Sequence, residues 1–120
     1  MAQVLALVDD LFFQAKMLQT AKHLGIELRV CSTGDALIAE AAKNLPKLVI
    51  IDLNARSNPL QAIERLHAAG QAIPLVAYLS HVQVDLANAA RAAGCRDVMP
   101  RSQFTRDLAA ILAQAKSESS

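Results

Sequence analysis

Leu48-Val49-Ile50-Ile51-Asp52 decides the fold: four apolar residues in a row, three of them β-branched, and then an acid. A strand that buries both faces has no use for polar alternation, so such a run reads as a central strand of a covered sheet. Residues 3–8 repeat the pattern, with Val4-Leu5-Ala6-Leu7-Val8 leading into Asp9-Asp10. Leu75 to Leu79, introduced by Pro74, form a third such run. Residues 26–31 alternate instead, Ile26, Leu28 and Val30 against Glu27, Arg29 and Cys31, which marks a half-exposed edge strand. A short fifth strand is expected over 96–99, before Pro100.

Between these runs the apolar period lengthens to three and four residues. Phe13, Met17, Ala21 and Leu24 mark a helix over 11–24, closed by Gly25. Ser32 or Thr33 caps a second helix over 35–44, which Pro46 bars from continuing. Pro59 suits the first turn of a third helix reaching about Ala69, with Gly70 behind it. Alanine-rich residues 83–93 make a fourth, stopped by Gly94, and Ser102 caps a last helix over 103–116. Strict alternation of strand and helix predicts one α/β domain over residues 1–116. Its architecture is flavodoxin-like: a doubly wound five-stranded parallel sheet of order 2-1-3-4-5, helices on both faces. The Ser/Glu tail at 117–120 is expected to fray.

Composition removes several functions. Hydrophobic residues make up 53% of the chain, yet only three Phe and one Tyr are present, so no aromatic surface is left for stacking bases. Twelve basic residues stand against 11 acidic ones, scattered singly, which gives no footprint for nucleic acid or an anionic membrane. No apolar stretch approaches the roughly 20 residues that span a bilayer. The N-terminus lacks the basic start and cleavage site of a signal peptide. Cys31 and Cys95 are isolated, as expected of reduced thiols in a soluble cytoplasmic protein. No Gly-rich turn follows the first strand, which excludes a dinucleotide site or P-loop at sequence level.

In such a sheet, ligands bind beyond the carboxyl ends of the strands, where the winding reverses. Asp9 and Asp10 end the first strand and Asp52 the third, so three carboxylates converge there. They raise one another's pKa unless a cation intervenes, and magnesium, with its taste for hard oxygen ligands, is the natural choice. Each acid alone has a plainer use, as a helix cap or a solvated strand end. Acids on both switch-point strands favour a functional origin.

The spacing Val8-Asp9-Asp10 to Leu48-Val49-Ile50-Ile51-Asp52 resembles the receiver domain of two-component response regulators, CheY-like, over almost the whole chain. The resemblance implies that Asp52 is the phosphoacceptor. It implies that Asp9, Asp10 and Asp52 hold Mg2+, with Asn54 lending a backbone carbonyl. The phosphoryl group would come from a histidine kinase, a phosphotransfer protein or a small phosphodonor, with catalysis resting on positioning and charge neutralisation. The chain would then be a stand-alone signalling module acting by binding a downstream protein, and no enzyme beyond its own phosphorylation and dephosphorylation. An aspartyl phosphatase would want a second acid where Asn54 stands. The family's usual partner surface, helix 4, strand 5 and helix 5, also suits a homodimer here, because Ala87, Ala89, Ala90, Ala92 and Ala93 keep helix 4 slim.

The other half of the motif departs from the family. Arg101 stands at the position of a lysine that pairs with the phosphoryl group, and Ser102 replaces the proline behind it. The switch hydroxyl at the end of strand 4 falls by count on Leu79; a one-residue bulge would bring in Ser80, with His81 beside it. Val98 stands where many receivers carry an aromatic. Leu11 and Phe12 fall near the mouth of the site, as a lid, an interaction surface or packing under a loop. The alternative to a working receiver is a pseudo-receiver, an interaction module without regulated phosphorylation.

Overall fold

The computed structural model describes residues 3–70, 72–80 and 83–117. In chain order the elements are β1 (Val4–Leu7), α1 (Leu11–Leu24), β2 (Leu28–Cys31), α2 (Gly34–Lys43), β3 (Leu48–Asp52) and α3 (Pro59–Ala68). They continue with β4 (Leu75–Leu79), α4 (Val84–Ala93), β5 (Asp97–Pro100), α5 (Arg101–Arg106) and α6 (Leu108–Ser117). The strands pair in parallel in the order β2-β1-β3-β4-β5. The apolar runs at 4–8, 48–51 and 75–79 form the three inner strands, and the alternating run is an edge.

Two cores lie on the two faces of the sheet, separated by the two-residue period of the strands. Val4, Ala6, Ile50, Val76 and Tyr78 face α1, α5 and α6, where Phe13, Met17, Phe104 and Leu112 fill the layer. Leu5, Leu7, Val49, Ile51 and Ala77 face α2, α3 and α4, packed by Leu37, Ile63, Leu66 and Ala90. Covering both faces is what makes the inner strands apolar without alternation.

Local chemistry sets most of the boundaries. The Asp10 side chain caps α1 by accepting the Phe13 N–H, and Gly25 closes that helix at φ 71, a left-handed conformation that glycine adopts without cost. Thr33, rather than Ser32, caps α2 by accepting the Ala36 N–H. Pro59 sits in the first turn of α3, behind Asn58 at φ 53.

Two elements differ from expectation. The β2 alternation does not separate core from solvent, since Leu28 packs on one core and Cys31 is buried in the other. Arg29 is exposed and reaches Glu40 at 3.5 Å. The last helix starts at Arg101 directly after Pro100, so Ser102 lies inside its first turn and caps nothing. Asp107, at φ −99 and ψ 9, divides it from α6. The buried stripe Phe104, Leu108, Ile111, Leu112 and Ala115 runs on across the break, which is why the sequence period reads as one helix. No helix among the described residues is long and apolar enough to cross a membrane. The tail expected to fray lies, from residue 118 on, outside the described residues.

Candidate functional site

The carboxyl ends of β1 and β3 adjoin, and the cleft above them holds about 670 Å³. Asp9, Asp10, Asp52, Asn54, Ser80 and Arg101 all line it, so residues 91 positions apart in the sequence meet there. Arg56, Ser57 and Ser32 complete the wall.

Asp52 is the buried acid of the chain, 8% exposed, and among the described residues no other charged side chain is buried. Strand β3 carries it to the rim of the sheet, where one oxygen accepts the Asn54 N–H at 2.9 Å. Burial pushes its carboxyl above the usual range; the Asn54 N–H and the Arg101 charge oppose that, while Asp9 and Asp10 add to it. Asp10 goes the other way. Its Oδ2 takes the Arg101 guanidinium at 2.8 Å and its Oδ1 takes the Phe13 N–H at 3.1 Å. Arg101 first, and then that N–H, hold the Asp10 carboxyl below its ordinary value. Asp9, exposed, accepts the Arg56 N–H through Oδ2 at 2.6 Å.

Among the described residues, no three His, Cys, Asp or Glu side chains are gathered closely enough to hold a metal ion. Both Asp10 oxygens are engaged, one by Arg101 and one by the helix it caps. The donor chemistry still suits a hard cation: Asp9 and Asp52 each keep one carboxylate oxygen without a hydrogen bond among the described residues.

The β4–β5 side of the cleft is built differently. Pairing is unbroken from Asp52↔Tyr78 on one side of β4 to Leu79↔Pro100 on the other, so β4 carries no bulge. Leu79 therefore occupies the strand end, 6% exposed. It borders a small cavity of about 220 Å³ between α4 and β5, with Val84, Ala87, Val98 and Met99. Ser80 follows the strand, lines the cleft, and spends its backbone N–H on Asn54 Oδ1 at 2.6 Å. His81 lies outside the described residues.

Arg101, the first residue of α5, rests over the Phe13 ring at 4.6 Å from its centroid. Phe13 in turn meets Tyr78 edge-on at 5.2 Å, and Tyr78 stacks on Phe104 at 4.6 Å. Three of the chain's four aromatic residues thus form one floor beneath the arginine. Sequence reading missed this cluster; the scarcity of aromatics, two of them at helix starts, was the available signal. The Tyr78 hydroxyl is buried without a hydrogen-bond partner among the described residues, and burial drives its pKa upward. The fourth aromatic, Phe12, is 90% exposed and Leu11 77%, so neither packs under a loop. Cys31 and Cys95 are both buried, and burial pushes the Cys95 thiol up to about 11, away from reactivity.

A doubly wound parallel sheet with a buried acid at its switch point defines a class of α/β domain whose chemistry sits at strand ends. Within that class the chain has the CheY-like receiver fold. A response regulator receiver protein from Pseudoalteromonas atlantica superposes with TM-score 0.81 at 15% identity, over 98% of this chain and 99% of its own. The receiver domain of NtrX from Brucella abortus gives 0.80 at 19% identity, over 95% and 98%. A CheY-like receiver domain protein from Methanospirillum hungatei gives 0.79 at 13%, over 98% of each chain. No protein-family model matches the sequence, and no curated protein does. The fold is that of receivers, while the sequence has moved far from those neighbours.

Proposed function

We propose that the chain is a receiver-like signalling module that accepts a phosphoryl group at Asp52 in the presence of magnesium and thereby alters its binding to another protein. One observation carries the reading: a buried carboxylate at the end of β3 shares a cleft with Asp9, Asp10 and a cation, Arg101. Desolvation leaves that carboxylate poorly hydrated, which favours it as a nucleophile. Its Oδ1 is held by the Asn54 N–H, and its Oδ2 attacks phosphorus. The new O–P bond forms as the donor's bond to phosphorus breaks, and the leaving group keeps the electron pair. Arg101, with a planar fork suited to paired oxygens, binds the transferring group as it leaves Asp10. Asp9, Asp52 and the Asn54 backbone carbonyl, with Asp10 once Arg101 has turned away from it, would hold magnesium, which supplies charge neutralisation when bound.

The donor in this reading is a histidine kinase or a phosphotransfer protein, and the setting is the cytoplasm. Residues 1–116 act as one domain. The readout surface is the face of α4, β5 and the last helix of the expected pattern, here α5 with α6, where the apolar cavity beside Val84 and Val98 offers a second protein, or a second copy, a place to dock. A second reading is favoured by one specific observation. Leu79 ends β4 without a bulge, so a hydroxyl does not stand where receivers use one to switch. In that reading the chain is a pseudo-receiver that binds its partner constitutively. Beryllofluoride with magnesium separates the two: the receiver reading expects a stable adduct in the wild type and none in Asp52→Asn. Failure of the wild type to form the adduct would leave the pseudo-receiver.

A further inference from the structure

Asn54 stands where three elements meet. Its backbone N–H donates to Asp52 Oδ1 at 2.9 Å. Its side-chain oxygen accepts the Ser80 N–H at 2.6 Å, which fixes the amide's orientation, and its side-chain nitrogen donates to Gln83 Oε1 at 2.8 Å. Gln83 is the N-cap residue of α4 and makes no side-chain cap bond, so its amide serves Asn54 rather than the helix. One residue therefore links the candidate acceptor, the end of β4 and the start of α4.

We propose that Asn54 is a positioning residue that couples the state of Asp52 to α4, by a route that does not need a hydroxyl at position 79. The proposal rests on reading Asp52 as the acceptor. A bond from an N–H to a carboxylate is charge-assisted and roughly twice as strong as one to a neutral carbonyl. Phosphorylation turns Asp52 into an acyl phosphate: one oxygen bonds to phosphorus and the other becomes an uncharged carbonyl. The Asn54 N–H then loses its anionic partner while a doubly charged group appears beside it. Leu53 and Ala55, on either side, are buried at 3% and 8% exposure and hold their places, so the change falls on Asn54. Its side chain is tied at both polar ends, and the displacement is delivered to Ser80 and Gln83. Helix α4 is lightly anchored, with Ala90 its one fully buried residue, so it can respond.

The test compares backbone amide NMR spectra of wild type, Gln83→Glu and Gln83→Ala, each with and without beryllofluoride and magnesium. Glutamate keeps an oxygen acceptor for the Asn54 amide, and alanine removes it. The adduct is expected in all three. Amides of residues 84–93 shift on adduct formation in wild type and Gln83→Glu, and shift about threefold less in Gln83→Ala. Undiminished α4 shifts in Gln83→Ala, or a Gln83→Glu response as poor as that of alanine, overturns the coupling and leaves the acceptor reading standing. No adduct in any of the three overturns the acceptor reading, and the coupling with it.

Discussion

The two sides of the cleft are held by different means. On the β1–β3 side every acid is fixed by a backbone N–H: Asp9 by Arg56, Asp10 by Phe13, Asp52 by Asn54. On the β4–β5 side the strand ends carry Leu79 and Pro100, and Arg101 is seated on a side chain, the Phe13 ring. Backbone donors survive wide sequence change because any residue supplies them. An arginine on an aromatic ring survives only while both partners do. The acid half of the cleft therefore rests on backbone donors, and the Arg101 half on side chains.

The contrast is most exposed at Phe104. Its ring is fully buried and stacked on Tyr78, so Phe104→Ala should cost about 3–5 kcal/mol of stability in denaturant titrations. A loss below about 1 kcal/mol would mean that the aromatic floor is dispensable. Leu79→Thr tests the opposite repair. It places a hydroxyl at the strand end, and burying that group should cost about 1–3 kcal/mol. Amide shifts at Val98 on adduct formation should grow; unchanged shifts would show that a hydroxyl at position 79 does not couple to β5.

Charge effects come next in size. Because the Asp52 carboxyl is pushed upward by burial, its ionisation opposes folding, and that penalty is fully present above its folded pKa. Asp52→Asn should raise the melting temperature at neutral pH, and the gain should fade as pH falls through the folded value. Asp10 carries the opposite sign. Its depressed carboxyl stabilises the fold above the ordinary carboxylate range, and the contribution is lost as pH falls through the folded value. In Arg101→Met, an NMR titration of Asp10 should move toward the ordinary carboxylate value; an unmoved titration would show that the ion pair does not hold it. Tyr78→Phe should have the smallest effect, neutral or stabilising within about 1 kcal/mol by calorimetry, since the hydroxyl it removes has no partner among the described residues.

Legibility followed the same divide. Apolar runs ending in acids were readable because burial on both faces and strand-end chemistry leave one-dimensional marks at Val4–Asp10 and Leu48–Asp52. Strand order and the convergence of Asp9, Asp10 and Asp52 at one cleft came from those marks, and the edge position of β2 from the alternation at 26–31. The grip of Arg101 on Asp10 was not readable. It depends on where α5 starts, two residues before the expected helix, and on Phe13 presenting a ring 4.6 Å away. The side-chain bonds of Asn54 were hidden for a related reason: they join positions 26 and 29 residues apart through loops, which carry no period.

Intact-mass measurement after exposure to acetyl phosphate tests directly whether Asp52 accepts a phosphoryl group. With Asp52 as the acceptor, one phosphoryl group adds when magnesium is present, none with a chelator, and none in Asp52→Asn. No addition to the wild type, or equal addition to Asp52→Asn, would contradict it.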